Sequence, residues 1–395
     1  MAQREVVILS GVRTPIGGYG GSLKDFAPTD LAGRVVREAL SRAKVDPKDV
    51  AQCVFGNVIH TEPKDMYLSR VAAIGGGLPH DSGALTLNRL CGSGLQAVVS
   101  ASQYILLGDA EACVAGGAES MSRGGYLVPT ARWGARMGDA KMMDMMVGAL
   151  TDPFDTVHMG ITAENVAAKL KLTRAQQDEY AVESHRRAHA AATGGRFKDQ
   201  ILPIELKSKK GPVAFDTDEH IRSDATVEGM AKLKAVFQKE NGTVTAGNAS
   251  GINDAAAAVV LMERSVAESK GLKPMARLVS YGHAGVDPKY MGLGPISAVK
   301  KALAKAELKI GDLDVIESNE AFAAQAMAVS QELGMDPKKV NPNGGAVELG
   351  HPIGATGCIL TIKCMYELQR SGGRYGLVTM CIGGGQGIAA VIERM

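Results

Sequence analysis

The segment Val35–Cys53, VVREALSRAKVDPKDVAQC, is repeated in altered form at Ala298–Ile316 as AVKKALAKAELKIGDLDVI. Both segments have the pattern of an amphipathic helix, a short turn and a strand. Five positions carry identical residues at a spacing of 263, and Gly94 and Gly357 are separated by the same number. Because several segments match in the same order, we interpret the chain as two copies of one structural unit.

A largely apolar, helix-length segment follows each of these two glycines and runs into a strand that ends in glycines. The first strand is predicted at Ala112–Gly117 and the second at Gly376–Gly385. Strands that alternate with helices and are apolar on both faces favour α/β layers in which helices cover a mixed sheet. Two fused copies of such a unit would stack into roughly five layers.

The stretch from about Met121 to Gly247 has no counterpart in the second copy. It contains a methionine-rich segment between Met137 and Met146, and a charged helical segment around Thr173–Thr193. An insertion of this size in one copy usually has a function. Because methionine adapts to irregular apolar surfaces, the segment is interpreted either as a subunit contact or ligand cover, or as ordinary packing.

The charge of the chain is nearly balanced, with 44 Lys and Arg against 42 Asp and Glu in 395 residues. General nucleic-acid binding needs a concentrated basic surface. Base stacking needs aromatic side chains, which make up only 4% of this chain. Both features argue against a nucleic-acid partner, while a local basic patch for a phosphorylated ligand stays compatible with the composition.

No secretory signal is recognised near the N-terminus, since the apolar run Val6–Leu9 is only as long as a strand. The apolar stretch Ala255–Met262 is too short to span a bilayer. We therefore expect a cytoplasmic, soluble protein without a membrane partner. The six cysteines form no CxxC pair and show no His/Cys zinc spacing, so we expect neither a metal site nor a disulfide framework.

Cys91 lies in the segment NRLCGSG (Asn88–Gly94), directly before the first apolar helix. A cysteine at a helix start is close to unpaired amides and to the positive end of the helix dipole, which favour the thiolate. The glycines after it let a substrate approach the backbone. A structural thiol is the competing interpretation, and the residues alone leave both open.

His351 lies in GGAVELGHPIGATG (Gly344–Gly357), just before the helix that corresponds to the one after Cys91. If the two copies pack around a pseudo-twofold axis, the two helix starts approach each other and bring an imidazole towards Cys91. A cysteine nucleophile needs such a base. A lone histidine in a loop is otherwise ordinary polar surface.

Cys381 ends a predicted buried strand in TMCIGGGQG (Thr379–Gly387). The glycines after it expose backbone N–H groups that could receive an oxyanion. A dinucleotide-binding loop is the weaker interpretation, because a strand (Ile388–Glu393) rather than a helix follows.

Asn319 follows the predicted strand Leu313–Ile316, in the segment SNEAFAAQ (Ser318–Gln325). At this position its amide could orient a water molecule, or it could cap the helix that follows. The residues alone leave both interpretations open.

Together, the segments NRLCGSGLQAV, SNEAFAAQ, GHPIGATG and CIGGGQG resemble the thiolase family in their order and spacing. TAGNASGIND (Thr245–Asp254) and the HMG at His158–Gly160 are similar to it as well. The resemblance runs from VVILSGVRTPIGGYGGSL to the C-terminus. It is strongest to bacterial β-ketothiolases of broad short-chain range, which supply 3-oxoacyl-CoA for polyester (polyhydroxyalkanoate) synthesis. A degradative 3-ketoacyl-CoA thiolase of fatty-acid β-oxidation is the alternative.

The resemblance implies an acyltransferase that catalyses the reversible Claisen condensation of acetyl-CoA with an acyl-CoA by a ping-pong mechanism. In this scheme His351 takes the proton of Cys91, which is acylated, and Cys381 removes an α-proton from the second acetyl-CoA. Asn319, through a bound water, and His351 form one oxyanion site. The backbone N–H groups of Cys91 and Gly383 form the other.

The resemblance also implies that coenzyme A thioesters are substrates and that no cofactor is permanently bound. It assigns Ser250 to the pantetheine and Arg222 to the nucleotide end of CoA. The rest of the tunnel wall is expected from Leu150, His158, Met159, Phe237, Met291, Ala321 and Phe322. Glu348 in GGAVELGHP departs from the less charged segment that is typical of the family.

The implied fold is a five-layer α-β-α-β-α fold made of two duplicated halves, with a large insertion in the first. We expect an N-terminal half from residues 1–121 and 248–272, and a C-terminal half from residues 273–395. Residues 122–247 are expected to form a loop domain that covers CoA and makes a tetramer contact. The family implies a homotetramer built as a dimer of dimers.

Two other functions are compatible with the same frame. A decarboxylating 3-oxoacyl condensing enzyme needs no second cysteine, because decarboxylation itself forms the carbanion, and Cys381 argues against it. A non-catalytic CoA-binding or scaffold protein needs no reactive group, and the presence of all four reactive positions argues against that. The other cysteines, Cys53, Cys113, Cys358 and Cys364, are expected to be packed thiols.

Overall fold

The computed structural model describes residues 4–395, which form fourteen strands and twelve α-helices. The strands are β1 (Val6–Arg13), β2 (Gly17–Gly18), β3 (Gln52–Gly56), β4 (Gly83–Leu87), β5 (Ala112–Ser120), β6 (Tyr126–Leu127), β7 (Met143–Asp144), β8 (Ile204–Leu206), β9 (Val213–Phe215), β10 (Asn253–Glu263), β11 (Ala276–Gly285), β12 (Val315–Ser318), β13 (Tyr375–Ile382) and β14 (Gln386–Arg394). The helices are α1 (Pro28–Ala43), α2 (Leu68–Gly76), α3 (Ser93–Leu107), α4 (Met145–Ala149), α5 (Met159–Leu170), α6 (Arg174–Thr193), α7 (Val227–Ala231), α8 (Arg264–Ser269), α9 (Gly294–Ala306), α10 (Ala323–Leu333), α11 (Ala346–Leu349) and α12 (Thr356–Ser371).

Ten strands form one mixed sheet in the order β12-β13-β14-β11-β1-β10-β5-β3-β4, with β2 beside β10. The two halves of this sheet meet at β1 and β11, which share only the pairs Val7 with Arg277 and Ile8 with Ala276. Each half combines antiparallel long strands with parallel strands at its edge, namely β12 on β13 and β3 on β5 and β4. The expected mixed α/β architecture is therefore confirmed.

Strand alternation sorts the apolar side chains into separate layers. On β10, Ala257 and Val259 face the core that contains α3 and α12, whereas Ala258 and Val260 face the core that contains α1 and α2. Because successive side chains of a strand point to opposite faces, a strand with apolar cores on both sides must carry apolar residues at successive positions, as β10 does from Ala255 to Met262.

The second half of the sheet shows the same division. On β14, Ile388 and Ala390 face the core shared with α3 and α12, and Ala389 and Val391 face α9 and α10. The order through the molecule is therefore α1 and α2, first half-sheet, α3 and α12, second half-sheet, α9 and α10. This arrangement is the five-layer fold expected from the duplication.

The equivalent glycines of the two copies mark the point where α3 and α12 approach most closely. A Cβ atom on Gly94 would lie 2.7 Å from the backbone nitrogen of Cys358, and one on Gly357 would overlap the backbone of Leu95. Larger residues would separate the helices, so the glycine pair allows the N-terminal ends of both helices to meet. The segment Leu90–Leu107, which has the length and apolarity of a membrane span, includes α3 and is a core helix of the middle layer.

The insertion lies between β5 and β10 and contributes β6 to β9 and α4 to α7. Although it belongs to the first copy in sequence, α5 and α6 pack on α10, and α6 also packs on α11, in the second copy. The methionine-rich segment forms the β6–β7 hairpin region, where Met137 and Trp133 are 98% and 81% exposed. The boundaries given above for three domains remain a prediction.

Candidate active site

A cavity of about 320 Å³ lies at the point where the N-terminal ends of α3 and α12 meet. Its wall includes Cys91, His351, Cys381 and Gly383. These residues come from three separate segments of the chain, and the close approach of α3 to α12 brings two of the segments together.

Cys91 lies in a single 3₁₀ turn, Leu90–Gly92, that leads directly into α3. Its side chain is half-buried, and the backbone N–H groups of Gly383 and of Cys91 itself point to the sulfur. Burial nevertheless raises the pKa of the thiol to about 11, with a smaller contribution from the Glu119 carboxyl. The expectation that the helix start favours a thiolate is therefore wrong here, because desolvation outweighs the nearby N–H groups.

His351 is held at two atoms. Its backbone N–H donates to Asn253 Oδ1 at 3.0 Å, and its Nδ1 lies 2.7 Å from Thr356 Oγ1. The Thr356 hydroxyl itself donates to Pro352 O at 2.9 Å, so its oxygen is left to accept from Nδ1–H. We assign the tautomer from these bonds, which leaves the lone pair on Nε2.

Burial also determines the charge of this imidazole. The side chain of His351 is 5% exposed, and burial lowers its pKa to about 4. At neutral pH the ring is therefore uncharged and able to accept a proton at Nε2.

Gly350 is required for the backbone path into His351. Its φ of +103° lies in a region that side-chain-bearing residues rarely adopt. A Cβ atom there would also lie 2.5 Å from Asn253 Nδ2, the amide that holds the His351 backbone. Both the positive φ and the lack of room for a Cβ atom therefore require glycine at position 350.

Asn319 follows β12 directly and is fully buried. Its Nδ2 lies 3.5 Å from His351 Nε2, and its Oδ1 has no hydrogen-bond partner among residues 4–395. The amide is thus a free acceptor beside the imidazole. Because α10 begins at Ala323 with Phe322 as its N-cap residue, the interpretation of Asn319 as a helix cap is wrong.

Cys381 lies near the end of β13 and is fully buried. Burial raises the pKa of its thiol, and the neighbouring Cys91 thiol raises it further. The two sulfurs are thus close enough to influence each other's ionisation. A strand, β14, follows the glycine turn, which agrees with the rejection of a dinucleotide loop.

Eight of the nine residues expected around CoA line the same cavity: Leu150, His158, Met159, Phe237, Ser250, Met291, Ala321 and Phe322. The imidazole of His158 stacks on the ring of Phe237, with centroids 4.6 Å apart and planes at 18°. The ninth residue, Arg222, is exposed and lies outside the wall of this cavity, where its backbone N–H donates to His185 Nδ1 at 3.4 Å.

Several residues that support the site were not singled out from the sequence. Asn253 and Thr356 hold His351, as described above. Glu119, fully buried at the end of β5, accepts hydrogen bonds from the backbone N–H groups of Val58, Ile59 and Gly354 at 2.9–3.1 Å. Burial raises its pKa to about 8. Asn253 falls within TAGNASGIND and Thr356 within GHPIGATG, so both residues lie in motifs that resemble the family and could have been identified from them.

The other four cysteines are buried in the hydrophobic cores rather than at the cavity, which confirms the expectation of packed thiols. Cys358 and Cys364 of α12 and Cys113 of β5 belong to the central core, and Cys53 of β3 belongs to the core under α1. Burial raises the pKa of each of these thiols.

The arrangement suits covalent acyl transfer. A thiol beside a neutral imidazole is an acyl-accepting nucleophile with its base. Two backbone N–H groups aimed at the same sulfur can receive the oxygen of a tetrahedral intermediate. A second thiol at the same cavity provides a further group for proton transfer.

Comparison with known proteins agrees with this chemistry. Residues 6–265 match the family model "Thiolase, N-terminal domain", and residues 272–394 match "Thiolase, C-terminal domain". The chain is 68% identical to the Beta-ketothiolase BktB of Cupriavidus necator over 392 residues, 99% of this chain and 100% of that protein.

Solved structures show the same relationship. The Bacillus anthracis acetyl-CoA acetyltransferase superposes with a TM-score of 0.97 at 45% identity, covering 100% of both chains. Human mitochondrial 3-ketoacyl-CoA thiolase in complex with CoA superposes with a TM-score of 0.96 at 44% identity, covering 100% of this chain and 98% of that one. With family models that match residues 6–265 and 272–394, and with the two thiols and the imidazole at one cavity, the chain belongs to the thiolase family.

Proposed function

We propose that the protein is a short-chain β-ketothiolase that condenses acetyl-CoA with an acyl-CoA to give 3-oxoacyl-CoA and CoA, and also catalyses the reverse thiolysis. The observation that carries this proposal is the presence of Cys91, Cys381 and a neutral His351 on the wall of one cavity. The identity of 68% to a protein named Beta-ketothiolase BktB supports the choice within the family.

In the first half-reaction Cys91 attacks the thioester carbonyl while His351 Nε2 takes its proton. Because burial raises the pKa of the thiol to about 11, transfer to this base is needed to form the nucleophile at neutral pH. The N–H groups of Cys91 and Gly383 receive the oxyanion. The CoA thiolate leaves with the proton of Cys381, so that the site then holds acyl-Cys91, a Cys381 thiolate and a His351 imidazolium.

In the second half-reaction the Cys381 thiolate removes an α-proton from acetyl-CoA. The enolate oxygen is stabilised by the His351 imidazolium and by a water held at Asn319 Oδ1, the free acceptor described above. The carbanion attacks the acyl-Cys91 carbonyl, and the carbon–sulfur bond breaks. The Cys91 thiolate recovers its proton from His351, which restores all groups to their starting states.

Coenzyme A thioesters are the substrates, and the mechanism needs no permanently bound cofactor. We assign the aromatic wall formed by His158, Phe237 and Phe322 to the pantetheine arm, with Ser250 beside it. We assign Arg222, exposed beyond the cavity, to the phosphorylated nucleotide end.

We further propose that the enzyme is cytoplasmic and that four copies assemble as a dimer of dimers. The exposed apolar side chains of the β6–β7 region, with Met137 98% and Trp133 81% exposed, support an intersubunit contact there. Size measurement by light scattering of the wild type and of a Trp133→Ser, Met137→Ser variant tests this assignment.

A second candidate function is the degradative thiolysis of longer 3-oxoacyl-CoA. It is favoured by the superposition on human mitochondrial 3-ketoacyl-CoA thiolase, although the identity of 44% is lower than that to the bacterial relative. Comparing kcat/KM over a linear series of 3-oxoacyl-CoA substrates separates the two. A preference that rises steadily with chain length would favour the degradative enzyme.

The direct test is the thiolysis of acetoacetyl-CoA by free CoA, followed by the loss of the 3-oxoacyl absorbance. Cys91→Ala should abolish turnover, and Cys381→Ala should lower kcat by about 100-fold or more, the typical contribution of a positioned acid–base group. Cys53→Ala, which removes a buried thiol outside the cavity, is the control and should keep the wild-type kcat. Folded wild-type protein without turnover would refute the proposal, and turnover of a malonyl thioester instead would indicate a decarboxylating enzyme.

A further inference from the structure

Two glutamates lie buried behind the candidate active site, each next to a residue of that site. Glu320 follows Asn319 directly, and Glu348 lies on α11, three residues before His351. Their side chains are 1% and 0% exposed. They lie close enough that the charge of Glu320 acts on Glu348.

Glu320 has the surroundings of a carboxylate anion. It accepts hydrogen bonds from Tyr180 Oη at 2.9 Å, Ser184 Oγ at 2.8 Å, Asn341 Nδ2 at 2.7 Å and Val347 N at 3.3 Å. Four donors occupy most of the lone pairs that an ionised carboxylate offers. A protonated Glu320 would have to give up one of these bonds.

Glu348 has the opposite surroundings. Neither Oε1 nor Oε2 has a hydrogen-bond partner among residues 4–395. The cation that acts on Glu348, Lys363, is already held by Glu317 Oε2 at 2.8 Å and by Gly344 O at 2.6 Å. The Ser184 hydroxyl also acts on Glu348, but its single proton is donated to Glu320 at 2.8 Å. An ionised Glu348 would therefore be a poorly compensated buried charge beside a second carboxylate, which is strongly unfavourable. Burial and Glu320 accordingly raise its pKa well above the ordinary value.

We propose that Glu348 is protonated in the working enzyme and that, as a neutral acid beside the Glu320 carboxylate, it is a positioning residue that keeps the Asn319 and His351 segments together. The positioning role rests on the proposed function, since that function assigns the chemistry to Asn319 and His351. The protonation of Glu348 is a property of the fold alone.

The groups around the pair come from every neighbouring element. Tyr180 and Arg187 of α6 face it from one side, and Lys363 of α12, paired with Glu317 of β12, faces it from the other. Glu320, Tyr180 and Arg187 also line a second cavity of about 250 Å³ on this side of the molecule. This cavity lies on the Glu320 side of the pair, and Glu348 is not part of its wall.

Loss of the proton at alkaline pH places a second buried negative charge beside the Glu320 carboxylate and pushes α11 away from Glu320. Because His351 follows α11 and Asn319 precedes Glu320, their separation of 3.5 Å should increase. The wall of the CoA cavity includes neither glutamate. We therefore expect kcat to fall at alkaline pH while KM for the acyl-CoA changes little.

The test compares wild type with Glu348→Gln, which has the shape of the protonated acid but cannot ionise. Glu332→Gln, the same substitution at an exposed position of α10, is the control. Glu348→Gln should keep kcat within about twofold at neutral pH and should extend the plateau of kcat to higher pH. A large loss of kcat at neutral pH in Glu348→Gln, or an alkaline limb identical to that of wild type, would overturn the positioning role.

Two measurements without turnover test the proton itself. The infrared difference spectrum of wild type minus Glu348→Gln should contain the C=O band of a protonated carboxyl at neutral pH, which should vanish on alkaline titration. The raised pKa in the folded state means that Glu348 costs stability increasingly as pH rises above about 4.5, where the unfolded side chain ionises. The Tm of Glu348→Gln, relative to that of wild type, should therefore increase as the pH is raised from about 5.

These outcomes separate the inference from the proposed function. A missing carboxyl band together with a pH-independent Tm difference would show that Glu348 is ionised and would overturn the inference. Wild-type protein that shows the band but no thiolysis would refute the proposed function and the positioning role, and would leave the protonation of Glu348 standing.

Discussion

The hydrogen bond between Thr356 and His351 allows a quantitative test of how the site controls its base. In Thr356→Val, a methyl group of equal size replaces the hydroxyl that accepts from Nδ1–H at 2.7 Å. The same hydroxyl donates to Pro352 O, but this oxygen does not lose all its donors in the variant. It still accepts hydrogen bonds from the backbone N–H groups of Ala355 and Thr356, at 2.8 and 3.0 Å. The substitution therefore leaves one buried donor, Nδ1–H, without a partner.

The expected cost follows from that single donor. A buried polar group left unpaired costs about 1–3 kcal/mol. If the ring keeps its tautomer, Nδ1–H becomes more positive as the ring takes the proton of Cys91, so the missing acceptor costs more in the transition state than in the resting enzyme. A difference of this size lowers kcat by about 5- to 150-fold. The ring can avoid the cost only by moving its proton to Nε2, which removes the lone pair that accepts the proton of Cys91, so activity falls in either case.

The assay is thiolysis of acetoacetyl-CoA, with kcat and KM determined separately. Thr356→Ser keeps a hydroxyl in place and should recover most of the wild-type kcat. Thr361→Val removes a buried hydroxyl one turn further along α12, where it donates to Gly357 O at 2.8 Å, and it should leave kcat unchanged. The reasoning is refuted if Thr356→Val retains the wild-type kcat, or if Thr361→Val loses as much.

Two further predictions concern stability and pH. Asp218→Ala leaves the guanidinium of Arg13 buried without its bidentate partner at 2.6 and 2.9 Å, and should lower the free energy of unfolding by about 3–5 kcal/mol. Lys270→Ala, which breaks a pair that is about 40% exposed on both sides, should cost less than about 1 kcal/mol in the same denaturant titration, and equal losses would contradict the argument. Since burial lowers the pKa of His351 to about 4, the imidazole stays neutral down to that pH, and kcat/KM should fall only as pH drops through about 4. A pH–rate profile with its acid limb near 6.5, the value of an exposed histidine, would show that the ring is not desolvated.

Much of the fold follows from local patterns in the sequence. Apolar runs such as Ala255–Met262 are strands because they are buried on both faces, and the matched helix-turn-strand segments identify the two copies. The glycines at Gly94 and Gly357 then predict where the copies meet, because only residues without a side chain permit that approach. From this follows the meeting of Cys91 and His351 at one cavity.

The electrostatics of the site could not be predicted in this way. Proximity to a helix start suggests a low pKa for Cys91, yet burial raises it to about 11, and burial is a property of the packed molecule. The role of Asn253 in holding His351 joins residues 98 positions apart, which no local pattern indicates. The same holds for the insertion, whose helices α5 and α6 pack on helices of the other copy.

Glu348 illustrates the division most clearly. In the sequence it is a charged residue in an otherwise apolar loop, where the family typically has a less charged segment, and no residue near it in the sequence is an evident partner for its charge. Only the tertiary structure places it beside Glu320 and removes both from water. The sequence by itself determined which elements form and which copies pair, because backbone periodicity and glycine placement act over a few residues. The protonation states and hydrogen bonds of the site were decided by the tertiary structure alone, because solvation and electrostatic interactions depend on every group that packing brings near.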